Sequence, residues 1–184
     1  MNHALLLVDI QNDYFPGGAM ELAGSREAGL KAGKLLQVFR QKFLPVIHIQ
    51  HIATREGATF FLPDTLGVAI HANVAPQAGE PVLVKHFPNS FRGTSLLEYL
   101  QRQQISQLVI AGMMTHMCID TTTRAGADLG FHCQLAHDAC ATRDLAFGGV
   151  SVPAPQVQAA YLAALDGPFA QVLSVDAVCA ALAS

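Results

Sequence analysis

Six short runs in this chain are apolar almost throughout, and stretches with apolar residues at helical spacing separate them. The runs cover residues 4–9, 45–50, 81–85, 107–111, 133–136 and 171–175. A strand without polar alternation is covered on both faces, and in a single chain helices supply that cover. The intervening stretches fit. Residues 25–42 space Ala28, Leu35, Leu36 and Phe39 along one face, with Ser25 as a candidate N-cap and Glu27 in the first turn. Thr94 can cap a helix reaching 103, a helix over 117–129 ends at Gly130, and 156–165 and 177–183 complete the set. The pattern predicts a three-layer α/β/α sandwich around a mainly parallel six-stranded sheet of order 3-2-1-4-5-6, as one domain over 1–184. Such sheets carry their chemistry at the C-terminal strand ends.

Composition narrows the function classes. The chain is 51% hydrophobic and 14% charged, with a net charge of −3. No basic footprint marks a nucleic-acid binder. No apolar run nears the roughly 20 residues of a membrane span, and the N-terminus reads as a first strand rather than a signal peptide. Four cysteines, at 118, 133, 140 and 179, show no CxxC spacing. A reducing cytoplasm is the expected setting, with buried structural thiols as the ordinary reading.

Three residues stand where the strand-end rule puts chemistry. Asp9 closes strand one, Lys85 closes strand three, and Cys118 follows strand four at the start of a helix. Each has an ordinary alternative: a turn-capping carboxylate, a solvated lysine, a core thiol. Together they supply a nucleophile, a base and a cation. A helix N-terminus and a nearby ammonium both favour thiolate, and a carboxylate can carry the proton. With strands one and four adjacent, Asp9 lies beside Cys118. Lys85 must then reach across the end of strand two to within about 4 Å of Asp9.

The segment Gly112, Thr115, Cys118, Ile119, Thr122 and Arg124 resembles the nucleophile segment of the isochorismatase-like cysteine hydrolases, which include nicotinamidases and N-carbamoylsarcosine amidohydrolases. The opening around Asp9, Gln11 and Phe15 resembles that family's Asp-x-Gln-x-x-Phe, with Phe15 one residue late. Lys85, Ser90 and Phe91 resemble its Lys…Ser-x-Phe, although Phe91 directly follows Ser90. The resemblance implies a Cys118-Asp9-Lys85 triad, a thioester intermediate, and an oxyanion hole from the backbone N–H groups of Met114 and Cys118. It also implies a cis peptide at Met113–Met114. Expected activity is hydrolysis of a C–N bond in a small amide, carbamoyl or ureido compound. Isochorismatase-type ether hydrolysis and a non-enzymatic thiol sensor are the rivals.

Nicotinamidases carry an Asp-x-His metal pair after strand two. Here His48 and His51 occupy that region without the Asp. No metal and no cofactor are therefore expected, with His48 a core histidine and His51 either lining the pocket or, if metal is present, a ligand. Phe15, Phe60, Phe61 and Phe91 are candidates for a small apolar cleft, or for a subunit interface. Arg124 and Asp138 are expected to be structural. The family and the apolar composition point to a homo-oligomer, a dimer or larger, and to a small-molecule substrate as the only other partner.

Overall fold

β1 (His3–Val8) lies in the middle of the sheet, and alternate residues feed two separate cores. Leu5 and Leu7 join a cluster with Ala28, Leu35 and Phe39, while Ala4, Leu6 and Val8 join Leu96, Leu100 and Ile119. The first core lies under α1 (Ser25–Gln41) and α5 (Val175–Ala183). The second lies under α2 (Leu96–Arg102), α3 (Asp120–Asp128) and α4 (Ala154–Leu165). This is the three-layer arrangement predicted from the apolar strands. The structure, a computed structural model, describes residues 2–183. Among them, no helix is long and apolar enough to cross a membrane.

The other strands are β2 (Val46–His51), β3 (Val82–Lys85), β4 (Gln107–Met113), β5 (His132–Ala141), β6 (Leu145–Phe147), β7 (Val150–Val152) and β8 (Gln171–Leu173). The main sheet runs β3-β2-β1-β4-β5-β8, with every pairing parallel. Its last strand is sixth in space but eighth in the chain. The antiparallel hairpin β6–β7, absent from the sequence expectation, lies before it. Gly148 and Gly149, both at positive φ, form the two-residue turn that lets this ribbon fold back. Phe147 and Val150 stay exposed on it, so no burial pattern announced the strands.

Three further differences have local causes. Ser25 is the first residue of α1 rather than its cap: Gly24, left-handed at φ 73°, precedes it, and no side chain caps the helix. Ser95, not Thr94, is the N-cap of α2, and Thr94 supports it from one residue earlier, its Oγ1 accepting from Leu96 N–H at 3.3 Å. β3 is an edge strand with Val82 and Val84 about 40% exposed, so its apolar run does not mean burial on both faces.

β4 and β1 approach closely at the functional end. Gly112 has φ +138°, and a Cβ there would collide with the Val8 carbonyl. Gly112→Ala therefore strains the backbone and pushes apart the two strands that lead into Asp9 and Met113. We expect it to destabilise the fold by about 3 kcal/mol or more, measured by denaturant unfolding. A loss under 1 kcal/mol would mean that the strands can separate there freely.

Candidate active site

The site forms where β1, β2, β3 and β4 end. Asp9 follows β1 in the left-handed region, φ 53°, an uncommon conformation for a residue with a side chain. The parallel register pairs His51 with Lys85 at the ends of β2 and β3. Cys118 lies in a single π-helical turn, Thr115–Ile119, between β4 and α3. The peptide bond Met113–Met114 is cis and joins β4 to that turn.

Asp9 and Lys85 are fully buried, and Cys118 nearly so. The Lys85 ammonium lies 2.7 Å from Asp9 Oδ2, 3.0 Å from His51 Nδ1 and 3.3 Å from Cys118 Sγ. Its three protons thus have three acceptors. Burial disfavours its charge, but Asp9 and Cys118 outweigh that and raise its pKa above the ordinary lysine value. Asp9 Oδ1 has no hydrogen-bond partner among the described residues, which leaves it open to a proton.

An ammonium has no lone pair, so His51 Nδ1 must accept from it. The His51 proton is then on Nε2. Burial foremost, and the Lys85 charge next, hold the His51 pKa down to about 4, so the ring is neutral at physiological pH. Gln11 fixes the strand behind it: Oε1 accepts from His51 N–H at 2.8 Å, and Nε2 donates to the His51 and Val68 carbonyls.

The thiol differs from its sequence expectation. Burial foremost, then the Asp9 charge, push the Cys118 pKa up, and Lys85 offsets this only in part. Cys118 also precedes α3 by two residues instead of capping it.

A cavity of about 460 Å³ opens onto the sulfur. Tyr14, His51, Phe60, Phe61, Met114 and Cys118 form its inner wall, and Arg55, His86, Phe87 and Met117 also line it. Two of the expected aromatics lie elsewhere. Phe15 turns away and stacks on His71 with ring centroids 3.6 Å apart. Phe91 stacks on Phe131 in the second core. Tyr14 takes the place expected of Phe15. Counted from Asp9, it is also the sixth residue of Asp-x-Gln-x-x-Phe, a signal present in the sequence. Arg124 pairs with Asp120 one turn back, and Asp138 pairs with Lys31 and accepts from Val175 N–H, both structural. His48 Nε2 meets Glu80 at 2.8 Å in the interior.

The isochorismatase domain model matches residues 3–177. This chain belongs to the isochorismatase family. It is 48% identical over 177 residues to the isochorismatase family protein YddQ of Bacillus subtilis, spanning 96% of this chain and 98% of that one. A crystal structure assigned to the isochorismatase hydrolases, from Oleispira antarctica, is 51% identical with a TM-score of 0.94, covering 97% and 96% of the two chains. Maleamate amidohydrolase of Pseudomonas putida is 30% identical over 143 residues, 70% of this chain and 67% of that enzyme. The isochorismatase family is one of hydrolases.

A metal deserves a direct test against this isochorismatase geometry. A carboxylate oxygen of Asp9, a ring nitrogen of His51 and the Cys118 sulfur lie within 4.8 Å of one another, a spacing that suits a divalent ion. The Lys85 ammonium already contacts all three. A second cation there would have to displace a fully buried one. We expect chelators to leave activity unchanged. Stoichiometric zinc, iron or manganese in the purified protein, with activity lost on its removal, would make His51 a ligand instead.

Proposed function

We propose that the protein is a cysteine hydrolase that cleaves a C–N bond in a small amide, carbamoyl or ureido compound through a thioester. The observation that carries this is the buried Lys85 ammonium, held between Asp9, His51 and Cys118 at the floor of a cavity of small-molecule size. Cys118 attacks the carbonyl carbon while its proton passes to Asp9. The backbone N–H groups of Met114 and Cys118 take up the charge that develops on oxygen, each worth about 3 kcal/mol. The C–N bond breaks as Asp9 returns the proton to nitrogen. Water then attacks the thioester, Asp9 takes its proton, and the acid leaves as the thiol re-forms. Lys85, in contact with both Asp9 and Cys118, lowers the cost of charge on the sulfur. His51 offers Nε2–H, and Phe60 and Phe61 offer apolar walls, to the substrate.

The Asp9 carboxylate and the Lys85 ammonium packed at the sulfur favour this over a thiol sensor, which needs a reactive cysteine but no paired base and cation. A nucleophile that surrenders its proton only during attack suits a base-assisted hydrolase. The amidohydrolase relative favours C–N over ether cleavage. Ammonia release from a panel of small primary amides and ureido acids tests the reading. Hydrolysis of a vinyl ether, with none of the amides cleaved, would replace it. We further propose self-association into a dimer or larger, which a monomer mass in sedimentation would refute.

A further inference from the structure

Tyr14 presents a polar group that the chemistry above does not use. Its ring is held by Phe61 and Phe60, with centroids 4.6 and 5.8 Å away, and only 1% of the residue is exposed. It lines the cavity that opens onto Cys118, and its hydroxyl makes no hydrogen bond among the described residues. Tyrosine hydroxyls on an apolar wall ordinarily find a partner, here a group that enters the cavity. Packing alone would be served by phenylalanine, the residue that the family pattern carries at this sixth position. Of the other donors, Lys85 is committed to its three acceptors and Gln11 to the backbone, which leaves His51 Nε2–H beside the Tyr14 hydroxyl.

We propose that the Tyr14 hydroxyl is a specificity-determining donor that binds a hydrogen-bond acceptor on the substrate atom next to the scissile carbonyl. This rests on the hydrolase reading for the place of the carbonyl. The hydroxyl feels the charges of Cys118 and Asp9, yet it bonds to neither. Tyr14 and Cys118 line the same cavity, so a substrate whose carbonyl meets the sulfur carries its neighbouring atoms past Tyr14. Burial foremost raises the Tyr14 pKa well above its ordinary value, so the hydroxyl remains a donor across the working pH range. The preferred substrates are therefore amides with a hydroxyl or carbonyl oxygen beside the scissile carbonyl. A plain alkyl group there would leave the hydroxyl unpaired.

Lactamide and isobutyramide differ at that position by a hydroxyl in place of a methyl, and they probe it without turnover in the Cys118→Ala protein. Dissociation constants from NMR titration would be compared with those of the Cys118→Ala, Tyr14→Phe double variant. The expected result is a loss of about fivefold for lactamide, the worth of one neutral hydrogen bond, with isobutyramide within twofold. Tyr14→Phe keeps the ring packing, so a fall in both ligands alike would show a structural role and overturn the proposal. Unchanged lactamide binding, or no measurable binding of either amide, would overturn it as well. Ammonia release by the unmodified protein is scored separately. Its absence alongside a hydroxyl-dependent preference would sink the hydrolase reading and leave the Tyr14 contact standing.

Discussion

Cys118→Ala is expected to lower amide turnover by at least about 10⁴-fold while the protein stays folded. The sulfur forms the only covalent bond between protein and substrate in the proposed pathway, and neither Asp9 nor Lys85 can replace it. Its removal deletes one acceptor of the ammonium, at 3.3 Å, while those at 2.7 and 3.0 Å remain. The melting temperature should therefore shift by only a few degrees. Kinetics on the best amide of the panel, alongside a thermal melt, make the test. Residual turnover above a hundredth of the original would remove Cys118 as nucleophile and point to water activated directly by Asp9.

Lys85→Met should damage both activity and stability, which separates it from the cysteine variant. A thioether chain of similar length fills the volume but leaves Asp9, wholly buried, without its counter-charge. Breaking a buried pair on one side costs about 3 kcal/mol or more, roughly 6–12 °C of melting temperature in a domain of this size. Without the ammonium, burial and the Asp9 charge act unopposed on a thiol already pushed up. Turnover should fall by about 10³-fold or more. A stable variant that keeps a tenth of the activity would reduce Lys85 to a packing residue.

Much of this was visible in the sequence because burial leaves a strong mark. The run 4–8 had to be an interior strand, and the end of such a strand is where Asp9 had to emerge. The Lys85–Asp9 contact followed from sheet order, since only that order carries the lysine across the end of β2. His51 as acceptor from Lys85 was hidden: it depends on the register of two parallel strands, and parallel register leaves no local sequence mark. The exchange of Phe15 for Tyr14 turns on a 3₁₀ turn, Asn12–Tyr14, in which neighbouring aromatics point opposite ways. The thiol's state depends on total burial and on a carboxylate more than a hundred positions away, which a helix-end argument does not count. Hairpin β6–β7 escaped because its residues are exposed, and only its paired glycines marked it.

Asp13 ties together the two long irregular segments. Its Oδ2 accepts from Phe61 N–H at 2.6 Å and its Oδ1 from Ala19 N–H at 3.1 Å. The reacting groups hang on the sheet and the turn after β4, whereas the cavity wall between 53 and 61 is a loop held by this carboxylate and by the Ala53 N–H donating to the Phe61 carbonyl at 2.9 Å. Substitutions along that segment can reshape what the cavity admits without moving a charge in the cluster beneath. A lineage built this way can inherit its reaction unaltered while it trades one substrate for another.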